Sequence, residues 1–316
     1  MNLNPFKLYR LVTAICFVNL LMIPIYSIAA DQVNSGSLDT IDKFESKFVK
    51  PRRVQVWKPD GYSDATKYAV VYMHDGQMLF DANQSWNKQE WGVDETAGKL
   101  IAEGKTRPFI VVGIDNDAEL RHSEYFPQKP FESLTEDDKK RIYQAARSNG
   151  VNVFSEPVIS DDYLKFIVRE LKPYIDNNYS VATDAANTFV MGSSMGGLIS
   201  AYAMMEYPSV FSGAACLSTH WPGIFTMENN PIPLAFYTYL DGYLPSPKNH
   251  KIYFDHGDQT LDSMYPDLQK EVDKIMVKNG YDKDSWETHS YPGEAHTEDA
   301  WRKRLHQPLV FLLGSK

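Results

Sequence analysis

Gly192-Ser193-Ser194-Met195-Gly196 decides how this chain is read. It is a Gly-x-Ser-x-Gly pentapeptide, preceded by the apolar run Thr188-Phe189-Val190-Met191 and followed by a helix-compatible stretch from Leu198 to Tyr207. A serine on a sharp strand-to-helix turn is lifted out of the sheet, and the flanking glycines leave room for the tight backbone. Such a turn also sets Ser194 at a helix N-terminus. Free N–H groups and the helix dipole there favour the negative charge that develops on oxygen during acyl transfer. The pentapeptide is therefore expected to be a nucleophile elbow between a strand and a helix.

The segments on either side fit a layered α/β protein. Arg53-Val54-Gln55-Val56-Trp57 alternates at period two and reads as an early edge strand. Ala69–Met73 and Phe109–Ile114 are continuous apolar runs, as expected of strands covered on both faces. Trp91–Glu103 reads as a helix, and so does Asp161–Lys172 with Ser160 or Asp161 as its cap. After the elbow, strands are expected around Ala214–Ser218, Lys251–Phe254 and Trp286–Tyr291. A helix should open at Pro266 and reach about Asn279, and a last one should run from about Asp299 with a break near Pro308. This alternation predicts an α/β fold with a mainly parallel central sheet and helices on both faces. Residues 117–159 break the rhythm. They hold many charges, the aromatics Tyr125, Phe126, Phe131, Tyr143 and Phe154, and a helix-like piece around Glu136–Arg147. They read as an insertion over the carboxyl edge of the sheet, where such excursions often cap a site.

The 316 residues suffice for one large α/β domain or two small ones, and 43% hydrophobic content supports a sizeable core. The net charge of −9 argues against nucleic acid as a partner, because phosphate binding needs clustered Lys and Arg. Residues 1–30 read as a secretory signal peptide. Lys7 and Arg10 form the positive start, residues 11–28 are mostly apolar, and Ser27-Ile28-Ala29-Ala30 offers small residues for cleavage. A periplasmic or secreted location follows, with no stable membrane insertion after cleavage. Residues 31–48 read as a polar, loosely ordered segment, and residues 49–316 as the folded domain. Of the two cysteines, Cys16 leaves with the signal, so Cys216 is expected to be a buried thiol without a partner.

A serine hydroxyl is a weak nucleophile until a base takes its proton. Of the eight histidines, His296 fits best, in the loop Tyr291-Pro292-Gly293-Glu294-Ala295-His296 after the last strand. Reactive groups in open sheets gather at the carboxyl ends of strands. The acid that orients His296 should follow Lys251–Phe254, and Asp255, Asp258 and Asp262 all qualify by position. Asp255 is still close to the strand and reads as a turn cap, while spacing alone does not choose between Asp258 and Asp262. The oxyanion donors are expected to be the amides of Met195 and of Gln77, the latter in His74-Asp75-Gly76-Gln77 after an early strand. His220 and Trp221 follow another strand and are candidates for a substrate pocket or, equally, for packing in the core. No metal site is expected: there is no His-Glu-x-x-His or paired-cysteine spacing, and Asp81-Ala82-Asn83-Gln84-Ser85 lacks the glycine and final glutamate of a calcium loop. No cofactor motif is present either.

His74-Asp75-Gly76-Gln77, Gly113-Ile114-Asp115-Asn116, Gly192-Ser193-Ser194-Met195-Gly196-Gly197, Tyr253-Phe254-Asp255-His256-Gly257 and Gly293-Glu294-Ala295-His296 followed by Trp301 together resemble the "putative esterase" family of α/β-hydrolases. That family includes feruloyl and acetylxylan esterases, S-formylglutathione hydrolase, enterochelin esterases and mycolyltransferases. The similarity covers roughly residues 50–315. It implies an α/β-hydrolase fold with Ser194 as nucleophile, His296 as base and Asp262 as acid ahead of Asp258, since family members often carry a non-acidic residue where Asp258 stands. The expected activity is that of an exported serine esterase acting on a small-molecule or polysaccharide-linked ester. The alternatives are an acyltransferase of the same fold and an inactive binding protein.

Overall fold

The computed structural model describes residue 1, residues 33–147 and residues 150–314; after Met1, the expected signal segment lies outside the described residues. Eight strands form one sheet: β1 (Ser37–Phe44), β2 (Arg52–Lys58), β3 (Ala69–His74), β4 (Phe109–Ile114), β5 (Thr188–Ser193), β6 (Gly213–Leu217), β7 (Lys251–His256) and β8 (Trp286–Ser290). Their spatial order is β1-β2-β4-β3-β5-β6-β7-β8. β1 and β2 pair antiparallel, as do β2 and β4; every other neighbouring pair is parallel.

The continuous apolar runs are explained by burial on both faces. In β3, Val70 and Tyr72 join one core cluster while Ala69, Val71 and Met73 join the other; Ile110 and Val112 against Phe109 and Val111 repeat the pattern in β4. On one face lie α1 (Val93–Ala102), α10 (Glu298–Arg304) and α11 (His306–Leu313), through residues such as Leu100, Trp301 and Leu309. The other face is covered from α5 (Ser160–Phe166), α7 (Met195–Glu206), α8 (Ile232–Tyr243) and α9 (Tyr265–Lys278). α5 continues through a wide turn, Ile167–Leu171, into α6 (Lys172–Asn178), so this helical stretch runs further than the expected Asp161–Lys172. Its start also differs: Ile159 occupies the cap and no side chain caps the helix.

Residues 117–159 carry α2 (Arg121–Tyr125), α3 (Gln128–Glu132) and α4 (Glu136–Tyr143). α2 packs on α5 and α7, and α3 packs on α8. Tyr125, Phe126, Phe131 and Phe154 are buried in the core on that side and Tyr143 packs against it, so these aromatics anchor the segment. A buried ion pair ties it to the sheet, with the Arg52 guanidinium donating to both Glu124 carboxylate oxygens at 2.9 and 2.6 Å.

The structure departs from the expected elements in three places. Arg52–Lys58 is not at the edge, because β1 from the supposedly loose polar segment pairs outside it. α8 was not foreseen. The break in the last helix falls at Leu305, ahead of Pro308, which sits in the first turn of α11 where its missing N–H costs nothing. Cys216 is a buried free thiol in β6, as expected. No helix among the described residues is long and apolar enough to cross a membrane.

Candidate active site

The elbow forms where β5 ends and α7 begins. Ser194 has φ 58° and ψ −121°, a region an L-residue enters only at a cost of about 1–3 kcal/mol. Its amide is held by the Leu217 carbonyl at 2.9 Å, which ties the turn to the end of β6. The glycines are needed for space. A Cβ on Gly192 would stand 2.8 Å from the Gly196 carbonyl carbon, and one on Gly197 would stand 3.0 Å from Thr219 Oγ1. Ser194 itself keeps 8% of its surface exposed.

The loop after β3 packs against this turn, since a Cβ on Gly196 would lie 3.5 Å from both His74 Cβ and Asp75 Oδ2. Asp75 takes a left-handed conformation, φ 58°, and starts the short turn Gly76–Met78. Its carboxylate accepts from Arg121 Nε and Nη2, both at 2.7 Å, and from Asn116 Nδ2 at 2.6 Å. Burial works against that charge, yet Arg121 and Asn116 hold the carboxyl below its ordinary range. His74 is buried, hydrogen-bonded through Nδ1 to the Tyr163 hydroxyl at 2.8 Å, and burial pushes its pKa down to about 3. Both side chains thus stabilise the turn that presents Gln77. The Gln77 side chain fixes the turn from the other side, its Oε1 accepting from the Asn116 amide at 3.1 Å. Gln77 lies in the short turn Gly76–Met78, and Met195 is the first residue of α7.

His296 leaves the loop after β8, and its Nδ1 lies 2.5 Å from Asp262 Oδ1. Asp262 is fully buried on the short turn Thr260–Met264. Its second oxygen accepts from the Gly257 amide and from Ser218 Oγ, each at 2.6 Å. Burial alone would raise its pKa, but the His296, Ser218 and Gly257 hydrogen bonds together hold it below the ordinary carboxylate value. Asp258 is not brought to His296. Its Oδ1 instead accepts from the Gly293 amide and Gln259 Nε2, both at 2.8 Å, and so braces the histidine loop. Asp255 is buried against Arg304, which donates to it at 2.9 and 3.1 Å.

Ser218 links these carboxylates, and sequence reasoning missed it. Its hydroxyl donates to Asp262 and accepts from Trp301 Nε1 at 3.0 Å and Arg304 Nη2 at 2.9 Å. Trp301 also stands edge-on to the His296 ring, 5.0 Å between centroids. The signal available was position: Ser218 directly follows β6, at the carboxyl end where site residues gather. His220 and Trp221 are both buried, and Trp221 lines a small cavity with Phe236 and Leu240. His220 Nδ1 meets the Tyr265 hydroxyl at 2.8 Å, and Trp221 Nε1 donates to Gln269 at 2.9 Å.

The sequence profile of the family described as "Putative esterase" matches residues 46–312. An endo-1,4-beta-xylanase/feruloyl esterase of Xylanibacter ruminicola is 26% identical over 200 residues, 59% of this chain and 22% of that protein. Protein YbbA of Bacillus subtilis is 27% identical over 172 residues, 54% of this chain and 58% of that protein. The chain therefore spans only part of the length of these relatives. Among solved structures, the BES protein from Bacillus cereus superposes with a TM-score of 0.64 at 16% identity, covering 91% of this chain and all of that one. The enterobactin esterase of Shigella flexneri superposes at 0.63 and 18% identity, over 89% of this chain and 60% of that one. These likenesses carry the fold, that of the α/β-hydrolases. The profile match spans most of the chain, and the protein belongs to the "Putative esterase" family.

Proposed function

We propose that the protein is a carboxylic ester hydrolase working through an acyl-enzyme on Ser194. In this mechanism His296 takes the hydroxyl proton as Ser194 attacks the ester carbonyl, and Asp262 holds the imidazole tautomer and stabilises the imidazolium. The Met195 and Gln77 amides receive the negative oxygen. The alcohol leaves with the proton from His296. Water, deprotonated by the same ring, then releases the acid and restores the serine. The observation that carries this reading is the 2.5 Å contact of His296 Nδ1 with a buried Asp262, together with the strained elbow conformation of Ser194. Hydrolysis of a short p-nitrophenyl ester tests it. Ser194→Ala is expected to lose on the order of 10⁴-fold in kcat, and equal rates would sink the reading.

The reading extends to the substrate and to export. The name of the Xylanibacter relative supports an ester attached to a polysaccharide, and that of the Shigella structure supports a small-molecule ester. Residues 1–30 would be removed during secretion, leaving residues 31–48 and the catalytic domain, with residues 117–159 as an insertion beside the site. Intact mass of the exported protein checks this: it should begin after Ala29 or Ala30.

A further inference from the structure

The proposed triad leaves a buried phenol beside the nucleophile without a role. Tyr265, the first residue of α9, has no exposed surface. Its hydroxyl lies 2.8 Å from His220 Nδ1, and its ring stands edge-on to His296 with centroids 5.8 Å apart. His220 itself is joined to the elbow, its amide donating to the Ser194 carbonyl at 3.2 Å. Tyr265 thus sits between His220, which is bonded to the elbow, and the ring of His296. Burial, and then the charge of Asp262, push the phenol pKa up, while a hydrogen bond with the Ser194 side chain pulls it down. Burial holds His220 well below its ordinary pKa, so its ring is neutral near pH 7.

A phenylalanine would fill the same space without desolvating a hydroxyl, which costs free energy unless it is paired. The pairing has a use. A serine side chain has three staggered rotamers, and its hydroxyl rotates freely in each. Only one arrangement offers the proton to the base. We infer that Tyr265, held in place by His220, is a positioning residue that fixes the Ser194 hydroxyl for proton transfer to His296. This rests on the serine reading above.

The test compares p-nitrophenyl acetate hydrolysis and thermal melting for wild type, Tyr265→Phe, His220→Ala, His220→Asn and the Tyr265→Phe/His220→Ala double variant. Tyr265→Phe is expected to lower kcat about tenfold with KM little changed, the loss of one hydrogen bond that matters in the transition state. His220→Asn, whose amide can stand where Nδ1 stood, should retain activity, and His220→Ala should match Tyr265→Phe. The double variant should lose no more than either single one, because the two residues act as a unit. Wild-type kcat in Tyr265→Phe, or losses that add in the double variant, overturns the proposal. So does a loss of activity that only follows a lowered Tm. Wild-type hydrolysis by Ser194→Ala is a separate outcome, and it overturns the serine reading itself.

Discussion

Asp262 and Asp258 show what decides a role at the scale of one residue. Both are carboxylates in the same loop after β7, within a few residues of each other. The turn Thr260–Met264 carries Asp262 inward to His296, while Asp258 stays at the surface and accepts from Gly293. Loop spacing does not encode which way a short turn points, so the sequence left the pair open until a resemblance ranked them. The consequence is measurable. Asp262→Asn leaves the geometry near native but presents the wrong partner to His296, and kcat is expected to fall by roughly 10³–10⁴-fold. Asp258→Asn should leave kcat close to wild type. Steady-state hydrolysis of one ester by both variants checks this, and the opposite ranking would transfer the acid role to Asp258. Ser218 belongs to the same scale. It was not legible because its part depends on Asp262, Trp301 and Arg304 meeting from three separate elements.

At the scale of elements, the strongly patterned pieces were legible and the weakly patterned ones were not. β3, β4 and the elbow declare themselves by apolar runs, because a strand covered on both faces has no polar side to present. β1 reads Ser-Leu-Asp-Thr-Ile-Asp-Lys-Phe and is half exposed, so only its pairing with β2 orders it. α8 is rich in aromatic residues and ends near Gly242, poor helix formers whose helix depends on burial of Phe236 and Leu240. The start of α1 makes a prediction of its own. Asp94 Oδ2 accepts the amides of Asn34 and Ser35 at 2.7 and 3.2 Å and so fastens the chain ahead of β1. Burial first, and then neighbouring Glu95, push the Asp94 carboxyl up to about 7. Its folded pKa is raised, so the folded state holds the proton more tightly than the unfolded chain. The stability this provides is present at low pH and is lost as pH rises from about 4 towards about 7. Asp94→Asn cannot lose that proton. Its Tm relative to wild type should therefore rise between pH 5 and pH 8; a difference that is flat with pH would contradict the assignment.

For the whole molecule, the parallel sheet gathers elements far apart in sequence at one edge. The loops after β3, β5, β6, β7 and β8 supply Gln77, Ser194, Ser218, Asp262 and His296 in turn. This convergence follows from βαβ winding, which returns each strand in the same direction. It explains why His296 could be picked out by its place after a strand, beside a Ser194 already marked by its pentapeptide. Which side chains line a cleft depends on how residues 117–159 and α8 pack; Trp221, though buried, lines a small cavity with Pro127, Pro130 and Phe236 from those segments. In the proposed reaction one hydroxyl, that of Ser194, forms the acyl bond. Its most direct test is to treat the protein with a fluorophosphonate and locate the adduct by peptide mass spectrometry. A single phosphonyl group on Ser194, absent after Asp262→Asn on the same timescale, is the expected result. Labelling at another residue, or none while the protein hydrolyses esters, would contradict it.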